Sequence, residues 1–146
     1  MTSSVTDVMT VEQARQLVAP LYDALTRPAE KDGRALLAQI CAPDYQSWFT
    51  NEIWFSQQQL ADHIKKMGAT IPDLHWGVEE IFVHGDRIIV RGKATGTPVA
   101  PLYGVEPTGK SFSTMAIDIF TVRDGKLASC HHVENWTAAM QQIQQP

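Results

Sequence analysis

Between Met115 and Trp136 the chain reads MAIDIFTVRDGKLASCHHVENW, which sets an aspartate and two histidines within otherwise apolar, β-forming runs. Asp118 stands between Ile117 and Ile119, and His132 lies in the middle of the return run. Asp124-Gly125 between them is a strong short-range signal for a hairpin. With a two-residue turn flanked by 123 and 126, Thr121 pairs with Ala128 and Asp118 with His131. With a three-residue loop over 124–126, Asp118 faces His132 directly. With a loop over 123–125 and Gly125 in a bulge, the two are diagonal neighbours on one face. The three-residue loop is the preferred reading, and in every register the carboxylate meets an imidazole across the ladder. Such a pair is costly to bury without a partner or a purpose. It suits acid/base catalysis: a carboxylate raises the imidazole pKa, while an apolar wall opposes ionisation of both groups. The plainer alternative is a structural ion pair that closes a buried edge.

Other polar side chains are weaker candidates. His131 and His132 are adjacent, so on a strand they point to opposite faces and cannot share a metal. Glu134 shares a face with His132 and could tune it, but no third metal ligand is evident, so no metal site is expected. His63, on a helical run, is a packing residue or lines a pocket mouth. His75 and His84 read as loop and turn residues. Asp-Arg-Asp and Ser-His-Asp orders, phosphate-binding glycine loops and nucleotide fingerprints are not recognisable.

These residues need a scaffold, and the remaining chain supplies one. Its 146 residues, 44% hydrophobic, suffice for one core. The formal charge of −4 argues against a nucleic-acid groove or an anionic membrane surface. No uncharged run is long enough to span a bilayer, and the first residues lack a signal-peptide pattern. Cys41 and Cys130 form no spacing motif and read as small buried residues of a reduced, cytoplasmic protein.

Residues 1–9 read as a disordered lead-in and 10–146 as a single domain. Thr10 and Gln13 make a capping box for a first helix, whose apolar residues recur from Val11 to Leu25 with Pro20 inside the run. Asp32 caps a second helix over GRALLAQICA. Ser56 caps a third, QQQLADHIKKM, which Gly68 should end. YQSWFTNEIWF between them fits a short strand and loop. After Pro72 the pattern turns to strands: LHWGVEEIFV and RIIVRGKATGTPV flank His84-Gly85-Asp86, with Phe82 opposite Ile89 and Glu80 opposite Arg91. A proline- and glycine-rich loop over 98–109 joins this hairpin to the last one, and WTAAMQQIQQ can close the chain as a helix. Helices followed by an antiparallel meander mean an α+β fold: helices on one side of a strongly curved sheet, forming a cone with an internal pocket. Tyr45, Trp48, Trp54 and Phe55 would gather where helices meet the sheet edge, and the 98–109 loop, with Tyr103, could lie over the pocket as a lid.

LHWGVEEIFVHGDRIIVRGKATGTP, GVEPTGKSF and MAIDIFTVRDGKLASCHHVENW together resemble the SnoaL-like polyketide cyclases, within the wider group sharing the nuclear transport factor 2 cone. The resemblance covers the C-terminal half; the N-terminal helices match in number and order. It implies an intramolecular aldol ring closure of a polyketide ester that needs no metal or cofactor. In that family an aspartate on the last strand is the acid/base group and a histidine on the preceding strand assists it. Aligned by the DGK turn, the histidine position falls at or beside Asp118 and the aspartate position at His132, so the two types are transposed. A second acidic position before the tryptophan is Asn135 here.

The resulting expectation is a homodimer that binds a small apolar carbonyl or polyketide-like compound, with no nucleic-acid or membrane partner. Asp118 and His132 are its catalytic pair, performing cyclisation or isomerisation; Trp48, Trp54, His63, Tyr103, Phe112 and Glu134 are its substrate-binding residues. The alternatives are a non-catalytic binding module of the same fold and an epoxide-hydrolase-like hydrolase. The dimer face should be the opposite side of the sheet, where Met115, Ile117, Ile119 and Val133 make an apolar set.

Overall fold

A computed structural model describes residues 8–146. Its elements in order are α1 (Val11–Ala24), a 3-10 turn (Pro28–Glu30), α2 (Gly33–Ala38), β1 (Cys41–Trp48), β2 (Trp54–Ser56), α3 (Gln57–Thr70), β3 (His75–His84), β4 (Arg87–Gly96), β5 (Phe112–Arg123), β6 (Lys126–Glu134) and α4 (Trp136–Gln144). The strands form one six-stranded sheet in the order β2-β1-β6-β5-β4-β3. The helices pack on this open sheet as the α+β cone requires. Of the lead-in expected over 1–9, residues 1–7 lie outside the described residues, whereas Met9 packs against the core.

Local chemistry sets the helix starts. Thr10 and Ser56 each form a full capping box with the glutamine three residues on, satisfying backbone donors that the first turn leaves free. The helix α1 runs unbroken through Pro20 and buries Ala14, Val18, Leu21 and Tyr22 along one stripe. Two helix ends differ from the sequence reading. The second helix stops at Ala38, because the chain from Cys41 on is drawn into the sheet beside β6, where Leu127 N donates to Ile40 O at 2.7 Å. The third helix continues past Gly68 to Thr70. Gly68 serves packing instead of termination: a Cβ there would lie 2.9 Å from Pro28 and Ala29.

The β3–β4 hairpin has the expected register, with Phe82 opposite Ile89 and Glu80 opposite Arg91, the latter pair joined at 2.6 Å. The last hairpin corrects the preferred turn. Arg123 pairs with Lys126, so the turn has two residues, Asp124 and Gly125, both at positive φ (52° and 74°). Strands joined this way match the sheet's twist. A bulge then intervenes: Val122 faces Leu127 but Thr121 faces Ser129, leaving Ala128 extra on β6. That single residue shifts the ladder so that Asp118 lies directly opposite His132. The strands after Pro72 are an antiparallel meander as expected, but β1 runs parallel to β6, and both β1 and β2 come from the stretch between α2 and α3.

Candidate active site

Alternation along three neighbouring strands decides which side chains meet inside the cone. On β5, Thr114, Ala116, Asp118 and Phe120 are buried, and the residues between them face outward. On β6 the inward set is Cys130, His132 and Glu134; on β1 it is Tyr45 and Ser47. Tyr22 comes down from α1, and His63 from α3. Asp118, the inward residues of β6 and β1, and His63 line an inner cavity of about 50 Å³, together with Leu60, Met67 and Trp76. An outer chamber of about 300 Å³ adjoins it through the shared residues Leu60, His63, His132 and Glu134, and is walled by Phe49, Phe55, Tyr103 and Trp136.

Asp118 and His132 face one another, yet neither takes the other as its hydrogen-bond partner. The Tyr22 hydroxyl donates to Asp118 Oδ2 at 2.5 Å. His132 Nδ1 meets Glu134 Oε2 at 2.5 Å, and its Nε2 lies 3.3 Å from Ser47 Oγ. Trp136 Nε1 donates to the second oxygen of Glu134 at 3.0 Å, which fixes that carboxylate from both ends. The ion pair at this site is therefore His132–Glu134 and not the Asp118–His132 pair expected from the sequence, and Asp118 is a separate carboxyl beside it. The acidic partner before Trp136 is Glu134, one residue from the position the resemblance pointed to. Asn135 instead caps α4, accepting from Ala138 N at 3.0 Å.

Burial and charge move these groups in different directions. Desolvation dominates at Asp118 and lifts its pKa to about 6, although the Tyr22 hydrogen bond pulls the other way; Glu134's charge adds to the rise and His132 lessens it. At His132 burial disfavours the imidazolium, but the Glu134 hydrogen bond and charge, with the Asp118 charge, outweigh it and raise the pKa above 6.5. At Glu134 burial is likewise outweighed, chiefly by His132 and then by Trp136 and His63, so its pKa falls. Burial lowers the His63 pKa, which leaves it a neutral wall of the pocket near pH 7. The cavity thus brings together a carboxyl whose pKa is raised and an imidazole whose charged form is favoured by a second carboxylate.

Of the substrate-binding residues expected from sequence, His63, Tyr103 and Glu134 border these chambers. Three others do not. Trp48 points to the opposite face of the sheet, stacked on His131 at 5.8 Å with the planes only 4° apart, and Trp54 packs against it there. Both sit one alternation step out of phase with Ser47 and Phe55. Phe112 is buried in the core, edge-on to Trp136. The sequence reading missed Tyr22, Ser47, Trp76 and Trp136. A phenol inside the apolar stripe of α1 and a serine two residues after the buried Tyr45 were the available signals, but neither distinguishes a site from ordinary packing.

The third donor that seemed lacking for a metal is Asp118: one donor atom each from Asp118, His132 and Glu134 lie within 4.8 Å of one another. A cation would have to displace the hydrogen bonds from Tyr22 to Asp118 or between His132 and Glu134. Three larger surface grooves, of about 810, 510 and 420 Å³, lie elsewhere. None brings together buried titratable groups; the second is rimmed by charges such as Arg34 and Asp62, already paired at 3.0 Å.

The profile of the SnoaL-like polyketide cyclase family matches residues 16–143. The chain belongs to that family. Solved structures agree on the fold. A SnoaL-like protein from Jannaschia sp. CCS1 superposes with a TM-score of 0.80 at 24% identity, over 96% of this chain and 98% of that one. TsrD from Streptomyces laurentii gives 0.79 at 21% identity, over 93% and 98%. IdmH from Streptomyces antibioticus, a candidate polyketide cyclase, gives 0.77 at 22% identity, over 90% and 98%. No curated protein sequence matches significantly. Among the described residues no helix is long and apolar enough to cross a membrane.

Proposed function

We propose that this SnoaL-like protein catalyses cofactor-free proton transfer on a small, apolar carbonyl compound of polyketide type, leading to aldol cyclisation or isomerisation. The observation that carries this reading is the buried coexistence of Asp118, with its pKa lifted to about 6, and the His132–Glu134 pair, whose pKa values are driven apart. Asp118 removes the proton from a carbon next to the carbonyl. The His132 imidazolium gives Nε2–H to the oxygen on which charge develops, exchanging its long contact with Ser47 for a shorter one to substrate. Tyr22 orients the Asp118 carboxyl, and Glu134, anchored by Trp136, holds the imidazole through Nδ1. The apolar inner wall keeps both charges poorly solvated, and the aromatic outer chamber accommodates the rest of the substrate.

The same reading takes the protein to be a cytoplasmic homodimer joined through the outer face of the sheet. Support comes from Met115, Ile119 and Val133, which are 53%, 40% and 72% exposed in an isolated chain, with Trp54 and Phe82 exposed on the same side.

The direct test is exchange of the α-proton of an enolisable β-keto ester in D2O, followed by NMR. Wild-type protein should accelerate exchange, and both Asp118→Asn and His132→Gln should abolish the acceleration while remaining folded. Full activity in both variants would exclude the assignment.

A further inference from the structure

The hydrogen bonds of His132 have a second consequence. Ser47 Oγ lies at Nε2, Glu134 lies at Nδ1, and Trp136 fixes the far oxygen of Glu134. A hydroxyl on one ring nitrogen and a carboxylate on the other is the connectivity of a nucleophilic triad, which is recognised by geometry and roles whatever the sequence order. Ser47 is buried, yet it lines the inner cavity beside His132, so its oxygen adjoins the space a ligand would enter. The 3.3 Å separation is long, as such contacts commonly are before substrate binds. Among the described residues Trp76 Nε1 is the one buried side-chain polar atom without a hydrogen-bond partner, and Trp76 lines this same cavity. An unpaired buried N–H carries a desolvation cost that an acceptor oxygen would relieve.

We infer that Ser47, His132 and Glu134 form a nucleophilic triad that hydrolyses small aryl or alkyl esters. Ser47 Oγ forms a bond to the ester carbonyl carbon while its proton passes to neutral His132 Nε2. The tetrahedral adduct collapses, the C–O bond to the alcohol breaks, and Nε2–H protonates the departing oxygen. Water then attacks the acyl-serine, giving its proton to Nε2; the acyl C–Oγ bond breaks and the proton returns to Ser47. The products are one alcohol and one carboxylic acid, and no electrons are exchanged with a further partner. Glu134 acts as a positioning residue that holds the Nδ1–H tautomer. This activity is independent of Asp118 as a base, and it uses the neutral imidazole where proton donation uses the charged one.

The test is acetylation by p-nitrophenyl acetate in buffers of rising pH, along which the neutral fraction of the imidazole grows. Nitrophenolate release is followed in time, and the quenched protein is digested and mapped by mass spectrometry. The expected result is a burst of nitrophenolate with one acetyl group on the peptide carrying Ser47. Ser47→Ala should remove that adduct, and His132→Gln should slow its formation by ~10²-fold or more. Acetyl groups confined to lysines, or a Ser47 adduct that forms as fast in His132→Gln, would overturn the triad. Because this readout is a covalent mass and the proton-transfer readout is deuterium incorporation, either can fail while the other stands.

Discussion

The two faces of the β5–β6 hairpin use the same twenty or so residues to opposite ends. On the concave side, Asp118, His132 and Glu134 are held by Tyr22, Ser47 and Trp136, each through a side-chain hydrogen bond. On the convex side, Ile117, Ile119, Val133 and Met115 stand between those very residues, with Trp48 stacked on His131 and the Arg91–Glu80 ion pair beside Ile117. One step along a strand separates a titrating cavity from an apolar plate. The difference teaches where each kind of substitution should register: changes inside should alter rate and pH dependence, and changes outside should alter association.

The largest separation of the two faces is expected from the concave carboxyl and imidazole. Asp118→Asn and His132→Gln should each lower the rate of α-proton exchange by ~10²–10⁴-fold. The double variant should be little worse than either single one, since coupled groups act as a unit. On the convex face, Ile119→Glu should leave that rate within about twofold at concentrations where wild type is fully assembled, because Ile119 borders neither chamber and a charge there neither adds nor removes a proton donor. A loss of exchange in Ile119→Glu as deep as in Asp118→Asn would erase the distinction between the faces.

The convex face has its own sharper test. A charge introduced at Met115 or Ile119 would have to be desolvated in a face-to-face dimer, at a cost of several kcal/mol per ion. Light scattering at micromolar concentration should give a dimer mass for wild type and a monomer mass for Ile119→Lys. Wild-type protein that is itself monomeric under those conditions would remove the proposed interface.

The pH dependence of proton exchange sharpens the assignment of roles inside. The base must be ionised and the acid protonated. The rate should therefore rise as pH passes through about 6, where Asp118 loses its proton. It should fall again above the ordinary imidazole value, where His132 loses its own. Tyr22→Phe removes a hydrogen bond that favours the carboxylate, so its rising limb should move to higher pH, read from a full rate profile.

Much of this was legible in the sequence because it rests on periodicity. The apolar stripe of α1, the capping boxes and the alternation of β5 all act within a few residues, and each appears where the pattern places it. The resemblance to SnoaL-like chains supplied the topology that such local signals leave open. What escaped reading depends on distant contacts. The bulge at Ala128 is invisible in its composition, yet it sets Asp118 against His132. Trp48 and Ser47 are neighbours in the chain and occupy opposite faces, and only the parallel pairing of β1 with β6 decides which one enters the cone. Tyr22 is 96 residues from Asp118. Glu134 was noticed as sharing a face with His132, but the second anchor from Trp136 required α4 to turn back over the strand end.

The smallest expected effect concerns stability, and its sign distinguishes a cavity built for chemistry from one built for cohesion. Asp118 has a folded pKa of about 6 against 3.8 for an exposed aspartate, so between those values the folded state holds more protons than the unfolded one. Stability linked to this group is thus present at low pH and declines as pH rises through the window from 3.8 to about 6. Glu134 runs the other way: its folded pKa is depressed, so its contribution is present above 4.5 and is lost as pH falls through the folded value. His132, raised above 6.5, stabilises at lower pH and loses that contribution as pH rises through its folded pKa. At neutral pH, then, Asp118 is an ionised buried group held at a cost. Asp118→Asn keeps the shape and can still accept from Tyr22, and it should unfold in urea at a midpoint equal to or slightly above wild type at pH 7. The gap should close as pH approaches 4, where wild-type Asp118 is itself protonated. A carboxylate kept for cohesion would give the reverse, with the variant clearly weaker at pH 7 and the difference vanishing in acid. Urea curves for the two proteins at pH 4 and pH 7 therefore decide whether the Asp118 charge is sustained against stability, as a catalytic base would be, or in its favour.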